Sequence, residues 1–174
     1  MSMAIREIRT YPDPVLRNKT ARVDRIDGTL DRLIEDMVET MHAAPGVGLA
    51  ANQVGVPLSL AVIDLSLRED KDQRRPLLVI INPEIIALEG SVIEEEGCLS
   101  IPDYSEKVKR AARIKVRAQD RTGKQFELET EGLMAKALQH EIDHLNGLLF
   151  VDKLSPLKKS LFKRRFKKAL AEKT

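Results

Sequence analysis

The 174-residue chain contains one cysteine and three histidines. A single thiol cannot close an intramolecular disulfide, so no cross-linked framework holds this fold, and a reducing compartment is expected. No uninterrupted apolar run approaches the roughly 20 residues that span a bilayer. Residues 1–10 also lack the apolar core of a secretory leader. These absences predict a cytoplasmic protein with no membrane association; an organellar protein with its presequence removed is the alternative. No internal repeat or low-complexity linker divides the chain, and its length suits a single domain over residues 1–174. Hydrophobic residues make up 43% and charged residues 32%, as in an ordinary soluble globule, and the net charge of +2 says little about partners.

What the sequence does contain is concentrated in three short segments. The first is His140-Glu141-Ile142-Asp143-His144, inside an expected helix over 132–146. Positions four apart on a helix differ by only about 40° in direction and about 6 Å in rise, so both imidazoles can grip one metal ion. Glu141, beside them, is placed to handle a proton on a water at that ion. Two histidines at helical spacing are also compatible with a solvated face, and a catalytic divalent ion usually takes three protein ligands and one open position. Downstream of His144 neither a glutamate nor a third histidine stands at the spacing that helix-borne metallopeptidase sites need. Upstream stands the lone cysteine, Cys98, in Glu96-Gly97-Cys98-Leu99-Ser100. A single cysteine is commonly a small buried hydrophobe, but a thiolate is also a good ligand for zinc or ferrous iron. Two His and one Cys with an open fourth position is the simplest reading of the two segments together. The third segment, Gly46-Val47-Gly48-Leu49-Ala50-Ala51-Asn52-Gln53, lacks the third glycine of a dinucleotide fingerprint and the ending of a phosphate loop. It allows main chain to lie close to a ligand, with the Gln53 amide as a hydrogen-bond donor.

Together these residues resemble peptide deformylases. The family's three signatures are a Gly-x-Gly-x-Ala-Ala-x-Gln loop, a Glu-Gly-Cys-Leu-Ser segment and a Gln-His-Glu-x-Asp-His-Leu helix. The chain matches them in that order at 46–53, 96–100 and 139–145. The start, 5–17, and the segment 154–158 also look like the bacterial form. The resemblance implies removal of the formyl group from the N-terminal formyl-methionine of new polypeptides. It implies a metal held by Cys98, His140 and His144, Glu141 as general base and acid, and Gln53 and the Leu99 backbone N–H as oxyanion donors. It further implies a methionine pocket built from Gly46, Val47, Gly48, Gly97, Leu133 and Ala137, with main-chain pairing at Val47 and Gly97. Ferrous iron is the metal first implied; zinc, nickel and cobalt also suit a His₂Cys set. Glu94 and Lys136 stand where several relatives carry apolar side chains; they either pair with each other at the pocket rim or face water, and a solvated face is the expectation. Ser105 stands where some relatives carry an arginine that meets the peptide beyond its first residue. An outer ion pair of Glu96 with Arg110 is expected by analogy.

Periodicity predicts an α+β fold: antiparallel or mixed β-sheets around a central metal-binding helix, with an N-terminal helix and a C-terminal basic amphipathic helix. Leu30, Leu33, Ile34, Met37, Val38 and Met41 recur at three and four, giving a helix from Asp27 or Gly28 that Pro45-Gly46 ends. His42 falls on its last turn and reads as a helix-end residue, not a ligand. Strands are expected at 59–65, at 77–81 (stopped by Asn82-Pro83) and at 91–94. A hairpin is expected from 113–118 and 125–130, and a charged loop at 66–75. Residues 156–173 read as an amphipathic helix whose stripe Leu157, Leu161, Phe162, Phe166 and Leu170 docks on the core. Its lysines and arginines favour polyanions. The resemblance implies that this end meets the ribosome near the exit of the nascent chain. A monomer is expected. Two rival classes remain: a metallopeptidase cutting internal peptide bonds, and a non-catalytic basic binding module with a structural metal.

Overall fold

The computed structural model describes residues 4–66, 68 and 76–173. The expected charged loop at 66–75 lies almost wholly outside the described residues. Three helices and seven strands run in the order α1 (Gly28–Ala43), β1 (Gly48–Ala50), β2 (Leu60–Ile63), β3 (Leu78–Glu89), β4 (Val92–Cys98), β5 (Ile101–Arg110), β6 (Arg113–Gln119), β7 (Gln125–Glu131), α2 (Gly132–Leu145) and α3 (Pro156–Glu172). Strands β1-β2-β3-β6-β7 form one antiparallel sheet, and β4 and β5 form a separate two-stranded ribbon.

The sheet is covered on both faces where it matters most. Alternate residues of a strand point to opposite faces. Ala61, Ile63 and Ile80 accordingly pack with Met134, Leu138 and Ile142 of α2. Leu60, Val62, Val79 and Ile81 pack with Leu33, Ile34 and Met37 of α1. This is why β2 reads as an unbroken apolar run, with all four of its residues buried. Helices α1 and α3 are capped by local chemistry. The Asp27 carboxylate accepts the Thr29 and Leu30 amides at the start of α1, and the Ser155 hydroxyl accepts the Lys158 amide at the start of α3. Helix α2 ends at Asn146, followed by Gly147 at φ +77°. A Cβ there would stand 2.5 Å from the Arg17 carbonyl oxygen, so only glycine fits.

Three expectations from the sequence need correction. Strand β3 does not stop at Asn82-Pro83 but continues to Glu89 through a register shift between Ile81 and Glu84. The irregularity tolerates Pro83, which has no amide to donate. Asn82, at φ +51°, fastens the break: its side chain bonds both backbone groups of Val23 and the Gln119 side chain. The strand expected at 91–94 runs on to Cys98 and pairs with β5, an element with no counterpart in the sequence reading. The stripe on α3 does not dock as a whole. Phe162 is buried and Phe166 packs beside it, but Leu157, Leu161 and Leu170 are 69%, 50% and 49% exposed. Among the described residues no helix is long and apolar enough to cross a membrane.

The first described residues are tied to α1 through one carboxylate. Asp36 accepts the Ala4 amide at 2.9 Å and the Arg6 Nε at 3.0 Å. The Ala4 amide is the largest influence on this carboxyl; with Arg6 it outweighs burial and holds the pKa below the ordinary 3.8. A carboxyl with a lowered folded pKa contributes stability above its unfolded pKa and loses it as the pH falls. Asp36→Asn is therefore expected to lower the unfolding free energy by about 1–3 kcal/mol near neutral pH. Its difference from the parent should shrink as the pH is lowered from about 5 to about 2, read by urea titration at each pH.

Candidate metal centre

Helix α2 supplies two imidazoles from one face, and the β4–β5 ribbon supplies the sulfur. Cys98 is the last residue of β4, facing Ile101 across a tight turn at Leu99-Ser100. Its Sγ lies 3.2 Å from His144 Nε2, and the two histidine Nε2 atoms lie 3.1 Å apart. The ligand atoms of Cys98, His140 and His144 all fall within 4.8 Å of one another, the cluster of this kind found among the described residues. Ligands at metal–nitrogen distances of about 2.1 Å in a tetrahedral site stand about 3.4 Å apart. The Cys98–His144 and His140–His144 separations are thus already close to those of such a site, and the donors' softness suits zinc or ferrous iron.

The surroundings fix these donors and favour positive charge between them. His140 Nδ1 lies 2.6 Å from Glu96 Oε1. Its Nδ1 proton is donated to that carboxylate, which turns Nε2 toward the cluster; an entering ion must displace the proton that Nε2 carries. Burial alone would lower the His140 pKa, but bonds to Cys98 and Glu96 overcome it and hold the pKa well above the usual value. Glu96 is in turn gripped by Arg110 through two bonds, at 3.0 and 2.9 Å. Burial raises the Glu96 pKa, yet His140 and Arg110 together bring it down to about 2. The expected Glu96–Arg110 pair is therefore present, and Arg110 also bonds Asp143 of α2. His144 goes the other way: burial, then the neighbouring His140 and Arg110, keep it well below the usual value and neutral. The Cys98 sulfur is oriented by the Ser100 amide at 3.4 Å and Gln53 Nε2 at 3.6 Å.

Glu141 sits against this cluster and is 4% exposed. Its Oε2 is buried with no hydrogen-bond partner. Burial, reinforced by the charge of Glu96, lifts its pKa to about 7 against the pull of His140 and Arg110. A carboxylate titrating near neutrality with a free oxygen suits proton transfer. Gly48 makes room for it: a Cβ at Gly48 would stand 2.5 Å from Glu141 Oε1 and 2.9 Å from its carboxyl carbon.

A cleft of about 580 Å³ opens onto the site, within the range of ligand pockets. It brings together Gly46, Val47, Gly48, Gln53, Gly97, Cys98, Leu99, Leu133, Ala137, His140 and Glu141, while His144 lies buried behind them. Gln53 is held by accepting the Ala50 amide at 3.0 Å and donating to Ser100 Oγ at 2.9 Å. The Val47 carbonyl is already used by the Asp64 amide. Three participants had no role in the sequence reading: Asp143, Tyr104 at the cleft rim, and Phe150, whose ring stacks 6.4 Å from His140. Asp143 lies inside the metal motif itself, a signal that was in view; the two aromatics carry none. Lys136 also lines the cleft, 3.7 Å from Glu94, so the two pair at the rim, with Glu94 left solvated at 56% exposure and Lys136 half-buried against the wall. His42 stands away from the cluster, paired with Asp64 at 2.7 Å, as its helix-end position implied.

Comparison with known proteins agrees with this geometry. The model of the polypeptide deformylase family matches residues 5–160. A peptide deformylase of Syntrophobacter fumaroxidans is 55% identical over 99% of both chains. The crystal structure of a peptide deformylase from Legionella pneumophila superposes with a TM-score of 0.85 at 48% identity, covering 97% of this chain and 98% of that one. The enzyme from Thermus thermophilus gives 0.87 at 44% identity, covering 97% and 96%.

The contact between Gly48 and Glu141 generates a specific expectation. Gly48→Ala should displace the Glu141 carboxyl and lower the hydrolytic rate about a hundredfold. The metal content of the purified protein should be unchanged, read by elemental analysis beside the rate.

Proposed function

The chain belongs to the polypeptide deformylase family, and from that premise we propose how its own residues carry out the reaction. The enzyme is a metal-dependent hydrolase that removes the formyl group from the N-terminus of newly made polypeptides. Cys98, His140 and His144 hold the ion. A divalent ion held by these three residues would supply Lewis-acid chemistry toward water and the formyl group. Glu141 accepts the proton of the attacking water at Oε2 and returns it to the amine nitrogen as the formyl C–N bond breaks, so formate and a free amine leave. Gln53 Nε2 and the Leu99 backbone N–H donate to the oxygen that gains charge; one such donor is typically worth about 3 kcal/mol of barrier. Gly46, Val47, Gly48, Leu133 and Ala137 enclose the methionine side chain, and Gly97 offers its main chain to the peptide.

The observation that carries this assignment is the buried, unpartnered Oε2 of Glu141 beside three converging ligand atoms. Cleavage of internal peptide bonds, the alternative reading, is not favoured by the family. A structural zinc module normally uses four protein ligands, and three converge here among the described residues. Glu141→Ala is expected to retain its metal and to lose about a thousandfold in kcat on formyl-Met peptides. Parent-like turnover by the metal-loaded variant would overturn the role.

The same reading extends to ion, partner and place. Ferrous iron is the native ion we assign, with zinc, nickel or cobalt accommodated in purified protein. The substrates are N-formyl-methionyl nascent peptides, met in the cytoplasm by a monomeric enzyme. Helix α3 presents Lys163, Arg164, Lys167 and Lys168, all exposed, and this basic face docks on the ribosome near the exit of the nascent chain. Deleting the helix would also remove buried Phe162, so charge reversal is the cleaner test. Changing these four residues to glutamate should abolish salt-sensitive co-sedimentation with ribosomes while the rate on a free formyl-Met tripeptide stays at the parent level. Undiminished co-sedimentation would remove the docking role.

A further inference from the structure

The cleft wall formed by α2 is not uniformly apolar. Leu133, Lys136, Ala137 and His140 follow one another at three and four residues and share one helical face, and all four line the cleft. The face that delivers a metal ligand therefore also delivers an ammonium group, one turn away. The Lys136 side chain is only 19% exposed. Its Nζ donates to the Glu95 carbonyl oxygen at 2.6 Å. Glu94 Oε2, at 3.7 Å, balances the charge from beyond hydrogen-bond range and is itself 56% exposed. An ammonium has three donors, and the Glu95 carbonyl occupies one.

We propose that Lys136 makes this enzyme competent toward N-formyl peptides whose first residue is methionine sulfoxide. The proposal rests on the reading of the cleft as the methionine pocket. A thioether is a weak acceptor and gains little from the ammonium. Oxidation converts it into a polar group with a strong acceptor oxygen. In a wholly apolar pocket that oxygen would be buried without a partner, at a cost that excludes the substrate. Here the half-buried ammonium, pinned by the Glu95 carbonyl against the wall, supplies the missing donor. The carbonyl bond also fixes where the donor sits, because it ties the ammonium of α2 to the edge of β4 at Glu95. Residues alternate along a strand, so Gly97, two residues on, turns its own peptide groups to the same open edge. Lys136 thus stands at that strand edge and brings its charge to the cleft that we read as the methionine pocket.

The test uses the metal-loaded full chain and two tripeptides that differ only in formyl-Met against formyl-methionine sulfoxide. The parent is expected to process the sulfoxide with a kcat/KM within about tenfold of that for methionine. In Lys136→Met the ratio of sulfoxide to methionine kcat/KM should fall by at least a further tenfold, roughly the worth of one hydrogen bond to a charged donor. Lys136→Gln, which keeps an N–H donor, should recover most of that ratio. Turnover of formyl-Met in each preparation reports that the variant is folded and loaded. A parent that discriminates against the sulfoxide as strongly as Lys136→Met, or a variant that slows both substrates by the same factor, overturns the proposal. If the metal-loaded parent fails on formyl-Met itself, the functional reading beneath it fails, a result distinct from the other two.

Discussion

One guanidinium joins the two halves of the metal centre. Arg110, at the end of β5, reaches Glu96 on β4 and Asp143 on α2, and its side chain is 5% exposed. The ribbon that carries the sulfur and the helix that carries the imidazoles have no ladder between them, so side-chain bonds set their relative position: this buried ion network, with Lys136 on the Glu95 carbonyl and Gln139 on the Ala111 backbone. The network also carries Glu96, which orients His140. A buried pair with one member removed leaves an uncompensated charge, worth about 3–5 kcal/mol, so this triad tolerates no partial loss. Its value is geometric: the donors of Cys98 and His144 can stay 3.2 Å apart only while ribbon and helix remain locked.

The same lock lets two carboxylates a few residues from the ligands behave in opposite ways. Glu96 is paired with a permanent cation and stays ionised. Glu141 has burial but no partner at Oε2, so its proton is held near neutrality. The difference is one of partners and not of residue type. Gly48 completes the arrangement from the sheet side, since any Cβ there would take the volume that the Glu141 carboxyl occupies. The glycine-rich segment therefore shapes the space that the Glu141 carboxyl occupies, besides lining the cleft.

Much of this was legible in the sequence because the relevant signals are local. The spacing of His140 and His144, the periodicity of α1, the 113–118 and 125–130 hairpin and the start of α3 depend on neighbours within a few residues. The convergence of Cys98 with the helix was legible from what the helix lacks: with no third ligand downstream, the lone cysteine became the candidate, and the resemblance then named the same set. What escaped was encoded in contacts rather than patterns. Strand β5 is Ile-Pro-Asp-Tyr-Ser-Glu-Lys-Val-Lys-Arg; its burial alternates from Asp103 onward, but charged Glu106 and Arg110 take inward positions, so no apolar alternation announces it, and its pairing with β4 makes it a strand. Strand β3 passes Pro83 because Asn82 finds partners at Val23 and Gln119, far away in the chain. The Glu94–Lys136 pair was read as solvated because its residue types suggest water, whereas the helix face turns Lys136 into the cleft.

The tail helix shows why an apolar stripe is a poor guide to docking. Of five candidate residues, the two aromatics bind, and they do so by ring geometry. Phe162 lies 5.3 Å from Tyr11 and 4.8 Å from Tyr104, and Phe166 meets Tyr11 edge-on at 4.7 Å. Tyr104 stacks on Phe150 at 6.0 Å, and Phe150 on His140 at 6.4 Å. A few rings thus bury enough surface to seat α3, and the exposed leucines are left to solvent. Rings in contact resist independent movement because a packed interior has few alternative arrangements. The helix that carries the basic face is therefore linked, through Phe162, Tyr104 and Phe150, to the rim of the cleft and to His140, so one continuous run of rings joins the basic surface to the candidate site.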